Sequence, residues 1–367
     1  MNWDYLLKNW PAWVFTVLII CTMAQLFYYF YFFLRLVLYK SKDKFQSQTH
    51  AVSVIICTRD EAQNLERHLP EVLSQQYSTT HEVIVVNDNS FDDTKYFLEE
   101  LQKIFRHLHP ITLTQEAKHI PGKKWPLSVG IKSSKHEVML LTDADCKPAS
   151  PWWIQKMQDA YHDDTELVLG YGAYEKKPGL LNKLVRWETF LTALQYLSYA
   201  LAGKPYMGVG RNLSYRKDLF YKMKGFSSLN HIPGGDDDLF INKVANSSNT
   251  AVVLDKEAFT LSVPPENFNQ WWRQKARHYS TARYYKPVHK WLLALFSISH
   301  VLFYPALVVT GFFFGWPWAL GAYLLRLGVQ GSVLYFAFKR LDEQDLFPIF
   351  WLLDIWQWFY YLIFSVT

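Results

Sequence analysis

Leu140-Leu141-Thr142-Asp143-Ala144-Asp145-Cys146 is the stretch on which the reading of this 367-residue chain turns. The apolar run at 138–141 has the composition of a buried strand, and it leads straight into Asp-x-Asp. Residues two apart share a face of an extended backbone, so Asp143 and Asp145 point the same way. Two adjacent carboxylates repel unless a cation lies between them. Mg²⁺ or Mn²⁺ suits such a pair, because each prefers oxygen ligands and is usually held by one or two carboxylates plus substrate phosphates. The plainer alternative is a solvated turn holding two chance acids.

Outward from this point, short apolar runs recur at 52–57, 83–86 and 167–170, separated by amphipathic patterns such as 61–75 and 92–106. Strands alternating with helical segments predict an α/β domain with a mainly parallel sheet. Ligands of such sheets bind beyond the carboxyl ends of the strands. Two more acidic clusters fall there or in loops. Asn87-Asp88-Asn89-Ser90 follows the second run and would either contact a nucleoside or close the strand as an Asx-turn. Gly234-Gly235-Asp236-Asp237-Asp238-Leu239 would either cap the next helix or supply a base for an acceptor hydroxyl. Gly122-Lys123-Lys124, in a turn before a helical segment, suits contact with phosphate. Gln274-Lys275-Ala276-Arg277-His278 follows a Trp pair, and its Arg277 would neutralise a diphosphate or anchor to lipid headgroups.

Apolar ends flank this polar middle. Half of all residues are hydrophobic and 17% are aromatic. The stretch 13–38, interrupted only by Gln25 and Arg35, is long enough to cross a bilayer. It exceeds a signal-peptide core and no small-residue cleavage site follows, so it reads as an anchor. Lys40, Lys42 and Lys44 come next and place that end in the cytoplasm. Span-length runs return at 291–314, 318–337 and 347–364. The connection Gly315-Trp316-Pro317 is uncharged and the one opening on Lys339-Arg340 is basic, which gives the same orientation. Arg326 lies inside the third run, either as a functional intramembrane charge or snorkelling to a span end. Leu180–Leu201 mixes apolar and aromatic residues with Lys183, Arg186 and Glu188. It fits a helix in the membrane interface as well as a packed helix, and an active site close to the bilayer favours the interface.

The expected organisation is an N-terminal transmembrane anchor at 1–44, a cytoplasmic catalytic domain at 45–286, and a membrane domain with about three helices at 287–367. That describes a multi-pass protein of the cell's inner or plasma membrane with membrane lipids as partners. A net charge of +5 without a long basic run gives no indication of nucleic acid. Cys21, Cys57 and Cys146 match neither a disulfide framework nor a zinc spacing, so a reducing compartment is expected. No Ser/His/Asp or Cys/His arrangement suggests a covalent nucleophile.

Taken in order, these clusters resemble the family 2 glycosyltransferases of the GT-A fold, membrane-bound type. The resemblance is carried by Val54-Ile55-Ile56-Cys57-Thr58-Arg59-Asp60-Glu61, Asp88, Gly122-Lys123, Asp143-Ala144-Asp145, Gly210-Arg211-Asn212-Leu213-Ser214-Tyr215-Arg216, Asp236 to Leu239, and Gln274 to Arg277, and it covers about 52–279. It implies inverting sugar transfer from a nucleotide-sugar donor, a UDP-sugar by family habit, with Mg²⁺ or Mn²⁺ as cofactor. Thr58, Glu61 and Asp88 would hold the nucleoside with Lys123 nearby. Asp143 would contact the nucleotide-sugar and Asp145 the metal. Asp236 falls where the family's base stands. Gln274 and Arg277 look like the Gln-x-x-Arg-Trp motif of membrane-bound cellulose, hyaluronan and ceramide glycosyltransferases, which grips diphosphate or acceptor. Three positions depart from the pattern. Gly235 stands where Glu is frequent, so Asp237 would share or take the role of base. His278 replaces the motif's Trp, and Asn87 replaces an Asp often paired with Asp88. The acceptor implied is a hydroxyl of a lipid, a lipid-linked or another membrane-embedded molecule. A processive polysaccharide synthase is the alternative, followed by an inactive sugar-nucleotide-binding subunit, against which the intact Asp143, Asp145 and Asp236 argue.

Overall fold

The computed structural model describes residues 3–41, 50–115 and 120–364, with side chains from residue 10 onward. Lys42 and Lys44 of the basic flank lie outside the described residues. The chain forms two compact units, one of residues 40–285 and one joining 1–39 to 286–367.

The chain opens on helix α1 (Trp3–Phe27), which passes through a six-residue π-helix (Tyr28–Phe33) into α2 (Leu34–Leu38). The unit of 40–285 then alternates β1 (Val52–Thr58), α3 (Ala62–Leu73), β2 (His81–Asp88), α4 (Thr94–Ile104), β3 (Leu108–Leu113), α5 (Lys124–Ser133) and β4 (Val138–Asp143). All seven residues of β1 are buried, as expected of a parallel strand covered on both faces. After β4 come β5 (Cys146–Pro148), α6 (Trp153–Gln158), β6 (Leu167–Leu169), β7 (Gly172–Tyr174), α7 (Leu180–Leu201), β8 (Leu213–Arg216), α8 (Lys217–Lys222), α9 (Asp238–Val244), β9 (Thr250–Val252), β10 (Thr260–Ser262) and α10 (Phe268–Ala282).

Seven strands form the main sheet in the order β3-β2-β1-β4-β8-β6-β9. The pairs β3-β2, β2-β1, β1-β4 and β6-β9 are parallel, while β8 runs antiparallel to both its neighbours. The expected mainly parallel sheet is therefore present, with one reversed strand. From β1 the chain builds outward through β2 and β3, then returns to add β4 on the other side. Such a reversal leaves a crevice at the strands' carboxyl ends. Those ends are level, because Cys57 pairs with Asp143 and Thr58 with Asn87. On one face Val54, Ile56, Val83, Val85 and Leu140 pack with Leu65 and Leu69 of α3 and Trp153 and Met157 of α6. α5 lies close enough to the sheet that a Cβ on Gly130 would meet Ile55 Cγ2 at 2.7 Å, so only glycine fits there. A second sheet, β5-β10-β7, lies just beyond the Asp143–Asp145 turn.

α7 corrects the interfacial reading. Sixteen of its 22 residues are buried, among them Arg186 and Glu188. Glu188 forms a buried ion pair with Lys275 of α10. Two of the three charges that suggested a headgroup-facing helix, Arg186 and Glu188, thus lie inside the protein, and Glu188 is neutralised by a residue distant in sequence.

In the other unit, α11 (Pro287–Phe314), α12 (Trp316–Arg340) and α13 (Phe350–Phe364) follow, the last preceded by a 3₁₀ turn at Gln344–Ile349. Among the described residues, three helices are long and apolar enough to cross a membrane: Trp10–Leu38, Pro287–Phe314 and Gln344–Phe364. The fourth expected span, α12, has 25 residues, but Arg326 and Gln330 interrupt its apolar run. Arg326 does not snorkel. It is fully buried and donates two bonds to Asp354 of α13, at 2.8 and 3.1 Å. Gln330 and Tyr304 donate to the same carboxylate at 2.6 Å each. Because Arg326 can only donate to His300 Nδ1, the imidazole proton sits on Nε2, facing the Asp354 carbonyl.

Candidate active site

The level strand ends bring Asp88, Asp143 and the turn residue Asp145 to one crevice, with Thr58 closing β1 beside them. Lys123, in the turn before α5, donates to Asp143 Oδ1 at 2.7 Å. Burial acts to raise the Asp143 carboxyl, but Lys123, then Arg211 and Arg277, hold it below the usual carboxylate range. Among the described residues, Asp145 is not bonded by Lys123 and accepts only a weak bond from the Cys146 thiol at 3.4 Å. Burial and the neighbouring Asp143 charge push it up to about 6. One ligand atom from each of Asp143, Asp145 and Cys146 lies within 4.8 Å of the others. The Cys146 thiol is turned to Ser262 Oγ at 2.9 Å and is pushed up by burial, leaving the two carboxylates as the donors suited to a hard cation.

The β1–α3 and β2–α4 turns are stitched together. Asp60 adopts a left-handed φ of 55°, its N–H donates to Ser90 Oγ, and its carboxylate accepts from the Phe91 N–H at 2.7 Å. This holds the Thr58–Glu61 segment against the loop that follows Asp88. Thr58 Oγ1 is buried without a hydrogen-bond partner, a donor left available at the crevice floor. Glu61 instead accepts from Asn64 of its own helix.

The third acidic cluster separates into three roles. Asp237 accepts from the Gly210 N–H at 2.9 Å and the Asp238 N–H at 2.7 Å, so both its oxygens serve backbone donors. Burial, then Asp236 and Asp238, push it up to about 8. Asp238 caps the Leu239 N–H at 2.7 Å and accepts from Thr281 and Tyr285 at 2.5 and 2.8 Å, tying this loop to the end of α10. Asp236 makes no hydrogen bond or ion pair to any described residue. Its charge, with those of Lys123, Asp143 and Asp88, reaches the buried Cys57 thiol, so all four groups surround the same point.

Arg211 closes the opposite side. Its guanidinium stacks 4.5 Å above the Tyr174 ring and donates to Ser262 Oγ at 3.3 Å. Gln274 of α10 donates to the Tyr174 hydroxyl at 2.9 Å, which brings the motif on α10 to the same wall.

Residues 53–223 match the profile described as Glycosyl transferase family 2. They are a family 2 glycosyltransferase domain. The match stops short of the 234–239 cluster and of α10. An uncharacterised glycosyltransferase of Haemophilus influenzae is 29% identical over 135 residues, 35% of this chain and 40% of that protein. The probable glycosyltransferase YdaM of Bacillus subtilis is 26% identical over 288 residues, 72% of this chain and 63% of that one. The chain therefore spans less than two thirds of each of these curated relatives. Among solved structures, the mannosyltransferase PcManGT of Pyrobaculum calidifontis, in complex with GDP-Man and Mn²⁺, superimposes with a TM-score of 0.58 at 18% identity, covering 94% of this chain and 99% of that one. The shared fold is the GT-A arrangement the sequence led us to expect.

Within the family 2 domain and its continuation, the crevice gathers Thr58, Asp88, Lys123, Asp143, Asp145, Asp236, Gln274 and Arg277. Glu61 stands at the edge, on the turn leading to α3. Asp237 lines the same loop with both oxygens engaged. Sequence reasoning gave no role to Arg211 or Tyr174. Arg211 lay in a quoted motif, but only the β5-β10-β7 sheet shows that Tyr174 and Ser262 aim it at the acidic pair. Lys124, read together with Lys123 as a phosphate contact, is buried on the backbone carbonyls of Ile232 and Gly234 instead.

Proposed function

We propose that this protein transfers one sugar, with inversion, from a nucleotide-sugar to a hydroxyl of a lipid or lipid-linked acceptor at the cytoplasmic surface of a membrane. The observation that carries this reading is the opposition of two elements across one crevice. One is the carboxylate pair Asp143/Asp145, flanked by Lys123, Arg211 and Arg277. The other is Asp236, a carboxylate unengaged by any described residue. The raised Asp145 carboxyl fits a cation site, because a divalent ion between the two acids removes the repulsion that raises it. When bound there, Mg²⁺ or Mn²⁺ would neutralise charge on the donor's diphosphate.

Thr58 and Asp88 hold the nucleoside at the β1 and β2 ends, with Glu61 at the rim. Lys123, Arg211 and Arg277 face negative charge as it grows on the departing diphosphate. Asp236 accepts the acceptor's hydroxyl proton while that oxygen attacks the anomeric carbon, and the bond from that carbon to phosphate breaks as the new one forms. Asp237, neutral near pH 7 and bonded on both oxygens, keeps the loop in place rather than taking a proton. The apolar helices Trp10–Leu38, Pro287–Phe314 and Gln344–Phe364 support a membrane-embedded acceptor.

The test is to incubate detergent-solubilised protein with UDP-glucose, UDP-N-acetylglucosamine and GDP-mannose, a membrane lipid extract, and Mn²⁺ or Mg²⁺, and to measure nucleoside diphosphate release. Asp236→Asn is expected to lose ~10²–10⁴-fold in rate, and Asp145→Ala to lose the metal dependence. Release unchanged in both variants would refute the reading. A single glycolipid product supports one-sugar transfer, and a polymer refutes that part of it.

A further inference from the structure

Lys123 and Lys124 are neighbours of the same type with different surroundings. Lys123 is half exposed and meets Asp143, whereas Lys124, the first residue of α5, is 1% exposed. Its ammonium donates to the carbonyls of Ile232 at 2.5 Å, Gly234 at 2.7 Å and Pro121 at 3.2 Å. Those three bonds use every donor an ammonium has. The helix does not explain this placement, since a cation is unfavourable at a helix N-terminus and burial depresses the basicity of this amine, with Asp236 and Asp238 acting the other way. The opposing loop supplies the explanation. Gly234 and Gly235 both lie in the left-handed region, at φ 81° and 84°. That backbone path directs the Ile232 and Gly234 carbonyls to a common point. Across the contact, a Cβ on Gly122 would lie 3.8 Å from the Gly234 nitrogen, so the two turns meet backbone to backbone. Asp236 follows two residues after Gly234, and its charge reaches the Lys124 ammonium together with that of Asp238.

We propose that Lys124 is the positioning residue for the catalytic base: it ties the turn before α5 to the 232–236 loop and so fixes where Asp236 stands over the crevice. One lysine of the pair serves the donor side and the next serves the acceptor side. This role rests on Asp236 being the base. It also explains how a loop with Gly235, where the family often has Glu, keeps its shape, since Lys124 braces it from outside.

The test compares full-length detergent-solubilised Lys124→Met, Lys124→Arg, Asp236→Asn and the Lys124→Met/Asp236→Asn double variant. Turnover is read as nucleoside diphosphate release, and binding-competent sites are counted by calorimetric titration with UDP or GDP, whichever the donor panel releases. Lys124→Met is expected to lose roughly 10–100-fold in kcat per binding-competent site, as a misplacement of about 1 Å would cause. Donor KM should stay within about twofold of wild type, which is the pattern of an interaction expressed in the transition state. Lys124→Arg should recover at least tenfold of the loss. On Asp236→Asn, Lys124→Met should cost nothing further, because its effect passes through the base. Unchanged kcat per binding-competent site in Lys124→Met, or the same fractional loss on both backgrounds, overturns the positioning role while leaving the base intact. Full activity in Asp236→Asn overturns the base assignment itself and this role with it.

Discussion

Replacing Asp354 with Ala tests the buried network of α11, α12 and α13. The carboxylate receives Arg326 through two bonds, Tyr304 and Gln330, all at 2.6–3.1 Å. Its removal leaves a fully buried guanidinium with His300 Nδ1 and the faces of Phe303 and Tyr304 as its surroundings. Breaking one side of a buried pair costs about 3–5 kcal/mol, and two further orphaned donors add about 1 kcal/mol each. The sum corresponds to a fall in melting temperature of roughly 10–20 °C. Removing both charges in Arg326→Leu/Asp354→Leu should return to within about 2 kcal/mol of wild type, because no unpaired ion remains. All three cysteines are buried and free. On a Cys57→Ser/Cys146→Ser background, a thiol-reactive dye would report unfolding through Cys21, which packs against Phe303 and Ala306. If Asp354→Ala melts within 2 °C of wild type (about 1 kcal/mol or less), or if the double variant is as damaged as the single, the reasoning is wrong.

Asp237 makes a prediction about pH. Its folded carboxyl titrates near 8, against about 3.9 unfolded, so the unfolded chain gives up this proton first and stability falls as pH rises through that window. Thermal unfolding at pH 5 and pH 8 should show a larger fall for wild type than for Asp237→Asn, and equal falls would contradict the assignment. Glu188→Gln leaves Lys275 buried without its countercharge; about 3 kcal/mol of stability should be lost, read by chemical unfolding of the purified protein. Gly235→Glu adds a carboxylate beside Asp236, yet the left-handed φ costs about 1–2 kcal/mol and its Cβ would meet Leu239 Cδ1 at 2.6 Å. Its turnover should fall below wild type, and a gain would refute the strain argument.

The strands were legible because burial on both faces demands continuous apolar runs, and Asp143 with Asp145 stood out because carboxylates rarely end such a run without a purpose. α7 misled, and Arg326 of α12 left two readings open, for a shared reason. Glu188 and Arg326 look like surface or snorkelling charges until their partners are known, and those partners, Lys275 and Asp354, lie in other helices. Lys123 and Lys124 are indistinguishable by type and spacing. Only the start of α5 and the path of a loop more than a hundred residues away divide their tasks. In the same way, the sequence left the role of base open between Asp236 and Asp237, and the Gly210 N–H on Asp237 and the Thr281 and Tyr285 hydroxyls on Asp238 are what tell the three acids apart.

The π-helix at Tyr28–Phe33 bears on how the first helix tolerates changes of length. A π turn carries about one residue more than an α turn over the same arc, so the segment behaves as a stored insertion. Tyr28, Tyr29, Phe32 and Phe33 all face inward across it. Deleting the exposed Phe30 would let the segment relax to α-helix while Cys21 and Gln25 before it and Leu36 after it keep their facing directions. The same deletion near Thr16 would turn everything beyond it by about 100° and carry Gln25 away from Ser299, its hydrogen-bond partner on α11. The aromatic segment is thus a slack point, where this helix can lose about 1.5 Å of length without changing which face meets its neighbours.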